Sequence, residues 1–88
     1  MPRYLVERTF AEPLPSGPEM AAICRTAVEQ NADRAVTWIH SYVSDDRRKT
    51  FCVYDGPSPE AIRQAAARNR FPVDRITLVR VLDPYFYA

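Results

Sequence analysis

The sequence predicts an α+β fold of order βαββαβ, a four-stranded antiparallel sheet with two helices on one face. Two segments repeat apolar residues at helical spacing, and four short segments rich in β-branched and aromatic residues are interleaved with them. Proline, glycine and aspartate cluster between these segments. Right-handed crossovers convert that order into the ferredoxin-like arrangement.

The first strand is expected over 2–10, where Tyr4, Leu5, Val6, Thr9 and Phe10 favour extended backbone. Pro13, Pro15, Gly17 and Pro18 then impose a loop. Ser16 and Glu19 have the spacing of a capping box, and Pro18 suits a first helical turn. Met20, Ile23, Cys24, Ala27, Val28 and Asn31 form one helical face, giving a helix near 17–32. Val36, Thr37, Trp38, Ile39, Tyr42 and Val43 predict a strand over 35–44. The polar run Ser44 to Arg48 reads as a hairpin connection to a strand over 49–55, which Asp55-Gly56-Pro57 ends. Ser58, Pro59 and Glu60 open a second helix near 58–70, with Ile62, Ala65, Ala66 and Asn69 at helical spacing. Pro72 ends it, and a last strand is expected over 74–82 before Asp83-Pro84 and the aromatic tail Tyr85-Phe86-Tyr87. One domain over residues 1–88 accounts for all six elements.

Cross-strand neighbours share a face of a sheet. Pairing Ile39 with Val53 joins apolar residues of both hairpin strands. In that register His40 faces Cys52, and Trp38 faces Tyr54, with Tyr42 in the same row. If Ile39, Phe51 and Val53 meet the helices, Trp38, His40, Tyr42, Cys52 and Tyr54 lie on the open face. A patch of that character exceeds what a monomer usually exposes, so a sheet-to-sheet homodimer is expected. The tail Tyr85-Phe86-Tyr87 is expected at that interface, or folded back beside Tyr4 or the first loop.

Twelve Lys plus Arg stand against eleven Asp plus Glu, a net charge of +1, without the basic footprint of nucleic-acid binding. The longest unbroken apolar run is Met20 to Cys24, far short of the ~20 residues of a membrane span, so no membrane partner is expected. Arg3, Glu7 and Arg8 near the N-terminus do not resemble a secretory signal. Cys24 and Cys52 form no CxxC pair and read as reduced thiols of a cytoplasmic protein. No glycine-rich phosphate loop, HExxH or Ser-His-Asp pattern is present.

The candidate metal ligands are few. His40 is the only histidine, and imidazole opposite a Cys52 thiolate is half a site for zinc, nickel or copper. A two-fold axis close by would double it. The plainer reading is a packed, hydrogen-bonded imidazole. Asp45 and Asp46 sit at the hairpin tip, where adjacent carboxylates bind a divalent cation weakly but are also ordinary turn residues.

Val36 to Asp46, Thr50 to Ile62 and Val73 to Thr77 resemble a small actinobacterial family, the DUF4242 family, described as nickel-binding proteins. Tyr4-Leu5-Val6-Glu7-Arg8 fits as well, and the Phe51-Cys52-Val53-Tyr54 block followed by Pro57-Ser58-Pro59-Glu60-Ala61 is the most specific part. The resemblance implies a ferredoxin-like homodimer that binds a nickel ion at its surface, in sequestration or detoxification rather than catalysis. Two other readings stay open: a dimeric α+β-barrel enzyme of the monooxygenase or isomerase kind with a pocket near His40, and a structural module without a small ligand.

Overall fold

The computed structural model describes residues 1–32 and 35–86. Its elements are β1 (Arg3–Thr9), α1 (Pro18–Ala32), β2 (Thr37–Val43), β3 (Lys49–Asp55), α2 (Pro59–Asn69) and β4 (Arg75–Val79). The sheet has the order β2-β3-β1-β4, and every neighbouring pair is antiparallel. The predicted α+β arrangement is thus observed. No helix among the described residues is long and apolar enough to cross a membrane.

The central pair decides which residues enter the core. Tyr4, Val6 and Arg8 alternate inward on β1, opposite Tyr54, Cys52 and Thr50 of β3. All six are buried. Ile62 and Ala65 of α2 and Val36 close over the apolar members of this set. The reverse face carries Leu5 and Glu7 of β1 and Phe51, Val53 and Asp55 of β3, all half-buried.

Local chemistry explains where elements begin and stop. In α2 the Ser58 hydroxyl accepts from the Ala61 N–H at 3.2 Å, and Pro59 follows it. At the far end Arg70 adopts φ 58, with the Arg70 N–H bonded to the Ala67 carbonyl and the Phe71 N–H to the Ala66 carbonyl. That is the left-handed cap that glycine usually supplies. The capping box expected at Ser16 does not form: Gly17, at φ 66, provides the carbonyl that receives the Ala21 N–H. β2 starts at Thr37 rather than residue 35 because Ala35 is left-handed, at φ 56, and the Val36 N–H turns back to the Asn31 carbonyl. β4 ends at Val79, the residue that pairs with Arg3 at the start of β1, short of the expected residue 82.

The expected hairpin register is corrected by a bulge. Trp38 pairs with Tyr54, but the next pair is His40 with Val53, so Ile39 is an extra residue. Beyond it Ser41 faces Cys52 and Tyr42 faces Phe51. The indole Nε1–H of Trp38 donates to the Ser41 hydroxyl at 2.8 Å, and Trp38 stacks on Tyr54 at 6.4 Å. An uninterrupted strand would send residues 38 and 41 to opposite sides, so this bond exists only because of the insertion.

Two measurements test this packing. Ile62 is 1% exposed, so Ile62→Ala should lower unfolding stability by about 2–5 kcal/mol in urea titrations, whereas Gln64→Ala, at an exposed position of the same helix, should change it by about 0.5 kcal/mol or less. On the reverse face Arg3 donates to both Asp55 carboxylate oxygens, at 2.8 and 3.2 Å. The hydrogen bond and charge of Arg3 hold the Asp55 carboxyl below its usual range. A depressed carboxyl stabilises the fold above about pH 4 and loses that contribution as pH falls through its folded value. Asp55→Asn should therefore shallow the fall of melting temperature between about pH 5 and pH 2, with the two proteins converging at the acid end.

Candidate functional site

The bulge sends the expected aromatic row to two different faces. His40 and Tyr42 project from the open face beside Val53 and Phe51, both exposed, with their rings edge-on at 5.3 Å. Trp38 and Tyr54 lie on the helix side, with Tyr54 only 4% exposed, so neither belongs to an open face. Cys52 is buried on that same helix side, so the expected cross-strand pairing of His40 with Cys52 is not observed. The cause is the single residue Ile39, which reverses the phase of β2 midway.

Asp45 and Asp46 do occupy the turn between β2 and β3. The Asp46 carboxylate accepts from the Ser44 hydroxyl at 2.6 Å and from the Arg48 N–H at 3.1 Å. The Ser44 bond first, and the Arg48 N–H after it, lower its pKa from the ordinary carboxylate range. Asp46 therefore holds the turn, as an ordinary turn aspartate does. Cys24 is half-buried on α1, and both cysteines are free thiols. Among the described residues no three His, Cys, Asp or Glu side chains gather as a metal-binding group. The described residues of one chain thus present a single exposed imidazole on the open face and no complete metal-ligand set.

The tail stands clear of its own sheet. Phe86 closes a turn onto the Asp83 carbonyl, and Tyr85 and Phe86 are 91% and 87% exposed. Neither folds back beside Tyr4 or the first loop. Tyr87 lies outside the described residues.

The helix side holds a second constellation that the sequence reading did not single out. A cavity of about 50 Å³ lies between the sheet and the N-terminal half of α1, walled by Met20, Ile23, Phe10 and Phe71 and floored by Arg8, Thr50, Cys52 and Tyr54. Arg8 is 2% exposed. It donates to the Pro72 carbonyl at 2.7 Å and to the Tyr54 hydroxyl at 3.2 Å, and its guanidinium lies 5.3 Å from the Phe71 ring centroid and 5.9 Å from that of Tyr54. No carboxylate pairs with it: among the described residues the one ion pair is Arg3 with Asp55. A buried charge without a counter-ion costs several kcal/mol, offset only in part by aromatic faces. Burial raises the Tyr54 phenol pKa, and the Arg8 charge opposes the rise, so Tyr54 keeps its proton at neutral pH. The Thr50 hydroxyl is buried with no hydrogen-bond partner, a further ~1–3 kcal/mol. The signal for Arg8 was present in the sequence: it is in phase with Tyr4 and Val6.

No curated protein sequence matches the chain. The crystal structure of SCO4226 from Streptomyces coelicolor A3(2) superposes with a TM-score of 0.78 at 16% identity, covering 92% of this chain and 99% of that one, and shows the same fold. A family profile described as nickel responsive protein, SCO4226-like, matches residues 4–79. This agrees with the resemblance to the DUF4242 family under another label, and the chain belongs to the SCO4226-like family of nickel-responsive proteins.

Proposed function

We propose that the chain acts as a cytoplasmic homodimer that takes up nickel, in sequestration or detoxification rather than catalysis. The observation that carries this reading is the placement of His40. In a member of a nickel-responsive family, the chain's only histidine stands exposed on a sheet face that no element among the described residues covers. Imidazole is a suitable nickel donor, and one imidazole is not a site. A two-fold axis over the open face brings a second His40 to the first, and the carboxylates Asp45 and Asp46 add weaker surface donors. Cys52, on the opposite face, is not part of this set.

The dimer rests on the same face. Leu5, Phe51, Val53 and Val79 make it apolar, and Tyr42 is 65% exposed there. Leu82, Tyr85 and Phe86 add exposed apolar surface in the tail. Isologous pairing of two such faces covers both at once. The enzyme reading loses its central residue, because His40 does not line the cavity between sheet and helices.

Tag-free protein should bind nickel in calorimetric titration at neutral pH, with uptake falling in acid because metal ligands must be deprotonated. His40→Ala should lower the uptake severalfold. Unchanged uptake would move the site to Asp45 and Asp46. Sedimentation should give twice the chain mass, and removal of residues 84–88 should weaken the dimer. A truncated protein with unaltered mass and melting temperature would place the tail outside the interface.

A further inference from the structure

We propose that the cavity beneath α1 is a binding site for a small apolar monocarboxylate, distinct from and independent of the nickel reading. The inference rests on a surplus of hydrogen-bond donors. Arginine has five N–H donors, and Arg8 uses two of them, on Pro72 and Tyr54, leaving three. The Tyr54 hydroxyl accepts from Arg8 and donates to no residue described. The Thr50 hydroxyl has no partner. All three side chains border one cavity, all are more than nine-tenths buried, and no carboxylate borders it with them. What this floor lacks is an acceptor carrying negative charge. A carboxylate supplies two oxygens that only accept, and it neutralises the guanidinium.

The walls select the rest of the ligand. Leu14, Met20, Ile23 and Phe71 present hydrocarbon, so a second charged group on the ligand would be left unpaired. A cavity of about 50 Å³ has room for a head group but not for a long chain. Phe10, Ile23 and Phe71 are shared with an open groove of about 480 Å³ between α1 and the turn after α2. Arg70 lies on that groove. The hydrocarbon tail therefore runs from the floor past the shared residues into the groove, and Arg70 adds positive charge at the entrance.

The test is calorimetric titration of the full, tag-free chain with sodium hexanoate, in the absence of nickel, beside hexanamide as the neutral isostere. One hexanoate per chain should bind, about tenfold or more tighter than hexanamide. Thr50→Val keeps the shape and removes the orphan hydroxyl, so the empty protein should melt at the same temperature or higher while hexanoate binding weakens about fivefold or more. Ile23→Trp fills the passage between groove and cavity and should abolish binding with the fold retained by circular dichroism. Arg8→Gln should lose the preference for hexanoate over hexanamide; if that variant does not fold, Thr50→Val and Ile23→Trp still decide. Equal binding of hexanoate and hexanamide, no binding of either up to roughly 10 mM, or undiminished binding by Ile23→Trp would overturn the proposal.

Discussion

The antiparallel pairing of β1 with β3 is the constraint on which the rest of the molecule depends. Because Tyr4, Val6 and Arg8 meet Tyr54, Cys52 and Thr50 in register, one phase of both central strands faces the helices. That phase is apolar for two pairs out of three. At the third pair it carries an arginine and a threonine into the interior. A one-residue slip would bury Leu5, Phe51 and Val53 instead, but it would also bring in Glu7 and the Arg3–Asp55 ion pair. Burying Arg8 with its aromatic neighbours and two hydrogen bonds is the smaller penalty, and the register follows.

The six elements were legible because each rests on local chemistry. Pro59 after Ser58 opens a helix whatever surrounds it, and Pro72 closes one. Helix α2 and strand β3 accordingly lie within a residue of where the spacing put them. The faces of β2 were not legible, because a bulge has no local signature here: Ile39 is as good a strand residue as its neighbours. What places the extra residue is tertiary. β3 has its phase set by β1, and Trp38 gains a stacked Tyr54 and a hydrogen bond to Ser41 only if residue 39 is skipped. Reading the hairpin by itself optimised Ile39 with Val53, a sound pairing in isolation that the third strand overrules.

The same distinction explains the site. His40, Asp45 and Asp46 could be nominated from residue type, but whether His40 and Cys52 meet depends on a count of residues through the bulge. Arg8 was passed over for the opposite reason. Residue type argues against burying arginine, and only its alternation with Tyr4 and Val6 marks it as inward. Periodicity and residue type disagreed at position 8, and periodicity prevailed. Positions of that kind, where a strand's phase drags a charged side chain into the core, are where a ligand has most to contribute, since the protein leaves donors there that its own acceptors do not satisfy.

Ile39 thus connects the two faces. The insertion turns His40 and Tyr42 outward, onto the open face, and turns Ser41 inward beside Cys52, where with Trp38 it borders the cavity. The two halves of β2 serve different layers, and the backbone between them is the one place in the sheet where the alternation fails. A bulge in an edge strand also twists that edge, which discourages open-ended pairing of β2 with further strands. The homodimer proposed above accordingly uses the face of the sheet rather than its rim. The exposed apolar groups are placed accordingly: Tyr42 stands on the open face, and the tail leaves β4 at the opposite edge, so the surfaces that need covering are spread across the breadth of the sheet and not along one strand. That breadth suits the proposed pairing of two sheets face to face, since a second copy of this chain presents a surface of the same extent.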